Sequence, residues 1–198
     1  MTHVPYRPWC RHCVEGRGRE FGHSTCDRGS HGTPLVSFDY GYIGDKGENI
    51  TKEEFEVAEG AIKVLVVKES RKKGVFAHVV PSKGIDDKRF AVDSIVDDVK
   101  RLGYTKIMLK SDNEKAILQL LTESLRELRF EGLDEVQSEN PPEYDPQSNG
   151  QAEAAVRQVK GMIRTLRSSL ESDIGYRVPA RHPAIAWLVR HAADVLNW

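Results

Sequence analysis

Three acidic side chains stand where a metal-dependent phosphoryl-transfer centre would need them. Asp39 interrupts the apolar run Leu35 to Ile43, and Asp112 closes a second run, Lys106-Ile-Met-Leu-Lys-Ser-Asp112. Glu153 falls in the first turn of a long amphipathic segment, just after Gln147-Ser-Asn-Gly-Gln-Ala. Carboxylate oxygens are hard ligands that suit Mg²⁺ or Mn²⁺, and two such ions about 3.5–4 Å apart can activate an attacking oxygen and stabilise a leaving one. Acids at two strand ends and one helix start can converge on that pair. Each acid alone has an ordinary explanation: Asp39 as a solvent-facing strand acid, Asp112 as an N-cap, Glu153 as an answer to the helix macrodipole. Asp39, however, has apolar neighbours on both sides, where an unpaired carboxylate is expensive to bury. The combination carries the reading, not any one member.

Two further patterns could do chemistry. Cys10-x2-Cys13 is half of a zinc site, with His3 a candidate third ligand. His23 and Cys26 offer a competing second half, C-x2-C-x9-H-x2-C, and reduced cysteines in a loose segment are the plain alternative. Three cysteines crowded between positions 10 and 26 suit a metal site in a reducing compartment better than a disulfide framework. The other pattern is a charged stripe. Glu153, Arg157, Lys160, Arg164 and Arg167 recur at three- and four-residue steps, which reads as a basic ridge for DNA phosphates with Lys160 foremost. An ordinary solvated face is the bland reading of the same stripe. Asn149 and Gly150, just ahead of it, would let backbone approach a ligand closely.

The elements that must position these groups are legible from periodicity. Leu35–Ile43 alternates as a strand, with Val36, Phe38 and Tyr40 on one face and Ser37 and Asp39 on the other. Residues 44–60 form a polar connection or short helix. Ile62–Val67 and Val75–Val80 are β-branched strands joined by the turn Glu69–Gly74. Lys88–Leu102 reads as a helix with Phe90, Ile95, Val96 and Val99 inward and Gly103 as its C-cap. A strand at Lys106–Leu109 and a helix at Glu114–Leu128, with Ile117, Leu118, Leu121, Leu125 and Leu128 as its apolar face, come next. A short strand at Leu133–Gln137, a loop through 140–150 and helices near 149–171 and 181–196 complete the chain. In the first of these two helices Val156, Val159, Ile163, Leu166 and Leu170 face the sheet. The order β-β-β-α-β-α-β-α-α is an α/β layer fold with a mixed sheet.

At 198 residues the chain suits one domain plus appendages, and 39% hydrophobic with 30% charged residues describes a globular protein. Apolar runs are too short for a membrane span, so no membrane partner is expected. The net charge of −1 hides basic flanks: residues 1–33 carry +2 and residues 151–198 carry +3, around a centre of −6. Phosphate contacts depend on that local field rather than on the total.

On these residues the chain resembles a retroviral or retrotransposon integrase catalytic core, the D-D-E branch of the RNase H-like superfamily. Asp39, Asp112 and Glu153 match that family's triad by element and order, and Tyr144-Asp-Pro-Gln-Ser-Asn-Gly-Gln-Ala-Glu-Ala-Ala-Val156 resembles its S-N-G-x-x-E block. His3 and Trp9-Cys-Arg-His-Cys13, continuing through Gly16 to Gly18, resemble the C-terminal half of the zinc module that precedes such cores. His191–Trp198 resembles the helix beyond the triad. The resemblance implies an RNase H-like fold, a mixed five-stranded sheet flanked by helices, over 34–198, with 1–33 the remnant of the zinc module and its linker. It implies two Mg²⁺ or Mn²⁺ ions, with Asp39 bridging both, Asp112 holding one and Glu153 the other. It also implies DNA as partner (element ends and target DNA), homo-oligomers, action in the nucleus and origin in a longer polyprotein. Two departures stand out. The interval between Asp112 and Glu153 holds 40 residues, more than the retroviral signature, and the zinc module lacks its upstream histidine pair. A ribonuclease H-type endonuclease would need a fourth acid, usually a Glu on the helix after the third strand, where this chain has Asp93, Asp97 and Asp98. An inactive or domesticated DNA-binding fragment is the non-enzymatic alternative.

Overall fold

The computed structural model describes residues 3, 7–17, 32–139 and 149–198. A short helix α1 (Arg11–Arg17) precedes strand β1 (Leu35–Ile43), helix α2 (Lys52–Val57) and the strands β2 (Ile62–Glu69) and β3 (Val75–Val80). Helix α3 (Phe90–Leu102), strand β4 (Lys106–Lys110), helix α4 (Lys115–Phe130) and strand β5 (Glu135–Glu139) follow. Two helices, α5 (Gly150–Ile174) and α6 (Pro183–Leu196), end the chain. The five strands form one sheet in the order β3-β2-β1-β4-β5, antiparallel across β1, β2 and β3 and parallel across β1, β4 and β5. This is the mixed five-stranded sheet that the sequence implies.

Alternation along β1 sorts its side chains into two cores. Val36, Phe38 and Tyr40 pack with α3, α4 and β4, while Ile43, from the Asp39 face, packs with α5 and α6. The second core includes the expected α5 residues Val156, Val159 and Ile163, with Leu166 and Leu170 at its margin. The sheet is therefore the middle of three layers, and β1 is its central strand.

Local chemistry sets the ends. The β2–β3 turn closes on the fully buried Glu69, whose carboxylate accepts from the backbone N–H of Arg71 and, at 2.6 Å, of Lys72. Gly103 caps α3 in the left-handed conformation at φ +70°, as its position predicts. The connection after β1 does contain a helix, because Thr51 and Glu54 form a reciprocal capping box at the start of α2. One expected core residue is outside: Phe90 is 44% exposed. It opens α3 directly after Arg89, which sits at φ +56°, so no earlier helical turn exists for its ring to cover.

Candidate active site

The parallel pairing of β1 with β4 places two of the acids side by side. The pairing ends at Ser37 with Lys110, two residues before Asp39 on one strand and two before Asp112 on the other, and the Asp112 charge is felt at Asp39. Adjacent strands lie about 4.8 Å apart. Asp112 is exposed and accepts from the Asn113 N–H at 2.8 Å, and it does not cap α4, whose N-cap is Glu114. The ordinary explanation for Asp112 therefore fails.

The third acid arrives on α5, which lies along β1. A Cβ built on Gly41 would stand 2.9 Å from Val156 Cγ1 and 3.2 Å from Lys160 Cδ, so helix and strand touch there and only glycine fits. Further along, Arg167 approaches Gly47, so α5 and β1 run in the same sense. Glu153, one turn before Val156, is thus carried back toward Asp39, which shares its strand face with Gly41.

Electrostatics report the same convergence. Asp39 is pushed up to about 6 from an ordinary 3.8. Burial is the largest cause; the charges of Asp112 and Glu153 add to it, while the Tyr40 N–H, which donates at 2.7 Å, and Lys83 oppose it. Asp39 forms the shielded floor of the site, and exposed Asp112 and Glu153 form its rim. At Asp39 the two neighbouring carboxylates outweigh the single Lys83 charge, and this set of hard oxygen donors fits divalent cations. The trio is more open than the tightest ligand group among the described residues, His3, Cys10 and Cys13, whose atoms all lie within 4.8 Å of one another.

The expected basic stripe is only partly a surface. Arg157 is exposed, and Lys160 is half-buried, its stem lying on Gly41. Burial, then the charge of Arg164, holds the Lys160 ammonium below its usual range. Arg164 is half-buried and donates to Asn49 Oδ1 and to the Gly16 carbonyl, each at 2.7 Å. Arg167 leaves the stripe. It is 3% exposed and donates to the Asp45 carbonyl, the Val178 carbonyl and Glu171, so its guanidinium ties the end of α5 to two loops instead of facing a phosphate. Asn149 is the N-cap of α5, buried, with its side-chain oxygen unpartnered, and the space above Gly150 is open.

At the other end, His3 Nδ1 lies 3.5 Å from both Cys10 Sγ and Cys13 Sγ, and all three residues are buried. Two thiols and an imidazole at that spacing suit zinc. The segment is docked, not loose. Gly16 packs so closely on α5 that a Cβ would overlap Thr165, and Ser168 bonds both His12 (2.9 Å) and Glu15 (2.8 Å). His23, Cys26 and the loop 140–148 lie outside the described residues. On α3, Asp98 is buried and bonded to His78 at 2.8 Å, its carboxyl raised by burial against the pull of that imidazole.

Sequence reasoning missed one part of the site. Lys83, after β3, pairs with Glu114 at 2.6 Å, and Lys52 of α2 pairs with the other oxygen at 3.0 Å. Thirty-one positions separate Lys83 from Glu114, and no local pattern joins them.

A meander of three antiparallel strands extended by two parallel ones, with acids on β1, after β4 and on α5, defines an RNase H-like α/β domain. Its fold is that of a retroviral integrase catalytic core. The chain superposes on the catalytic core domain of BIV integrase with a TM-score of 0.50 at 19% identity, covering 82% of each chain. It also matches a chain of the simian T-cell lymphotropic virus intasome in complex with a PP2A regulatory subunit, with a TM-score of 0.46 at 14% identity, over 86% of this chain and 50% of that one. No family model and no curated protein matches the sequence.

Proposed function

We propose that this chain is the core of a metal-dependent polynucleotidyl transferase that trims DNA 3′ ends and joins them to a target strand, as integrases do. The observation that supports this most is that Asp112 and Glu153, carried by two other elements, both lie near enough for their charges to raise the Asp39 carboxyl. In this reading Asp39, Asp112 and Glu153 would together hold Mg²⁺ or Mn²⁺. The ions supply Lewis acidity toward the attacking water or hydroxyl and toward the leaving oxygen. The chain's own residues do the rest. Gly41 lets α5 lie close to β1, which brings Glu153 toward Asp39, and half-buried Asp39 lies deeper in the site than exposed Asp112 and Glu153. Exposed Arg157 and half-buried Lys160 meet the DNA backbone. Asn149 and Gly150 border the path of the strand, and Arg164 adds field from its half-buried position.

His3, Cys10 and Cys13 hold Zn²⁺ in the same reading. The native unit is a homo-oligomer on DNA ends, formed from a retrotransposon polyprotein and acting on chromosomal DNA in the nucleus. Among the described residues no helix is long and apolar enough to cross a membrane. The deciding experiment is a strand-joining assay with Mn²⁺, comparing the parent with Glu153→Gln. Joining lost only in the variant supports the proposal. Cleavage of RNA–DNA hybrids without joining makes the chain a ribonuclease, and DNA binding without either reaction makes it a binding module.

A further inference from the structure

We propose that Lys83 is a positioning residue of the acid site: through its ion pair with Glu114 it anchors the Ser111–Glu114 loop that presents Asp112. This rests on the metal-centre reading of the acid trio, which the experiment below tests separately.

The sheet itself does not hold these two loops together. Lys83 follows β3 and Glu114 follows β4, and β2 and β1 lie between those strands. Side chains must therefore bridge the gap. Lys83 Nζ reaches Glu114 Oε2 at 2.6 Å, and Lys52 takes Oε1 at 3.0 Å, so one carboxylate ties the β3–α3 loop, the β4–α4 loop and α2 into a knot. The two arms are unequal. The Lys52 side chain is 50% exposed, an ordinary surface contact, whereas that of Lys83 is only 17% exposed. Glu114, which both arms share, is 33% exposed, so the more shielded Lys83 arm is the costlier of the two to break.

Lys83 is itself held from below. Its ammonium lies 5.5 Å from the ring centres of both Tyr40 and Tyr42, which alternate along β1 with Asp39 and Gly41 of the opposite face. The next residue, Gly84, donates its N–H to the Tyr40 hydroxyl at 3.0 Å. Gly84 also sits at φ +75°, with a hypothetical Cβ 3.1 Å from the Ala116 carbonyl, so this loop is wedged against the first turn of α4. On the other side, the Glu114 carbonyl accepts the first α4 bonds, from Ile117 and Leu118, each at 2.9 Å. Glu114 is thus fixed by both backbone and carboxylate, and Asp112, two residues earlier and exposed, inherits its position. Partners of this kind, which orient a metal ligand without touching the metal, are worth about 10- to 100-fold in metal affinity or activity.

The test compares the parent with Lys83→Met, Lys83→Arg, Glu114→Gln and the double variant Lys83→Met/Glu114→Gln. Mn²⁺ affinity is read by calorimetry, strand joining by kcat and KM for DNA, and loop order by amide hydrogen exchange at residues 111–114. Lys83→Met is expected to weaken Mn²⁺ binding about tenfold or more and to lower kcat with KM for DNA unchanged. Glu114→Gln should match it, Lys83→Arg should restore most of the loss, and the double variant should be no worse than either single one. Unchanged Mn²⁺ affinity in Lys83→Met, additive losses in the double variant, or a raised KM with intact kcat overturns the proposal; the last would make Lys83 a DNA contact. A parent that binds no Mn²⁺ defeats the metal-centre reading. Exchange at residues 111–114 then decides the anchor alone: faster in Lys83→Met supports it, and unchanged overturns it.

Discussion

Replacing Asp39 by Asn should make the metal-free protein more stable at neutral pH while abolishing its chemistry. Asp39 titrates near 6 in the folded chain against an ordinary value of 3.8. A carboxyl whose folded value is raised binds protons more tightly when folded, so its ionisation works against the fold. The penalty is absent below the unfolded value, grows between about pH 4 and 6, and is fully present above the folded value. A shift of that size corresponds to about 3 kcal/mol at pH 7.5, falling to about 0.5 kcal/mol at pH 4. For a chain of this length 1 kcal/mol moves the melting temperature by about 2–4 °C, so Asp39→Asn in EDTA should melt several degrees higher at pH 7.5 and almost equally at pH 4. Asn keeps an oxygen to accept from the Tyr40 N–H, which donates to Asp39 Oδ1 at 2.7 Å in the parent, so local geometry survives. Added Mn²⁺ should raise the melting temperature of the parent but not of the variant, because only the parent presents the full acid set. Differential scanning calorimetry at both pH values, with and without Mn²⁺, measures all of this. A variant that is neutral or destabilised at pH 7.5, or a gain that is the same at both pH values, refutes the claim that the site concentrates uncompensated charge.

Three further outcomes separate the roles assigned to the site. Gly41→Val forces a methyl-bearing carbon into Val156 and Lys160, so it should destabilise by about 1–3 kcal/mol and lose strand joining as Glu153 is lifted away, read by melting and by assay. Arg167→Ala should cost about 2–3 kcal/mol of stability because it strands a buried and a part-buried carbonyl, yet leave the salt dependence of DNA binding unchanged, whereas Lys160→Ala should lower that salt slope by about 1 with little loss of stability. Purified protein should carry about one zinc per chain, and a strong chelator should lower its melting temperature, since His3, Cys10 and Cys13 are assembled only in the docked segment.

Much of this was legible in the sequence because the relevant signals are local. β1 and β3 have the predicted bounds, since period-2 alternation is flanked there by glycine and proline punctuation. The capping box at Thr51 and Glu54 was present in the sequence, but residues 44–60 are too polar for periodicity to single out α2. The acid trio could be proposed from sequence because Asp112 and Glu153 sit at element ends and Asp39, in the middle of β1, breaks an apolar run, although strand order and helix direction decide their proximity. The Lys83–Glu114 knot was not, because it depends on which loops the sheet brings to one edge, and no residue near either partner encodes the other.

Arg167 shows most clearly what spacing leaves out. Steps of three and four residues average 3.5, whereas an α-helix turns every 3.6, so such a stripe drifts about 20° around the helix per heptad. Between Glu153 and Arg167 lie two heptads, and the drift reaches about 40°. Near Glu153 the stripe overlooks the acid site; by Arg167 the helix has passed β1 and reached Gly47, and the side chain has turned into a gap with the Asp45 and Val178 carbonyls on its walls. The guanidinium is held there because the buried Val178 carbonyl and the part-buried Asp45 carbonyl take their donors from it. The same arithmetic leaves Arg157 and Lys160 within the first heptad, where drift is small. That is why the part of the ridge beside the catalytic acid, and not its far end, should carry the salt-dependent contact with DNA.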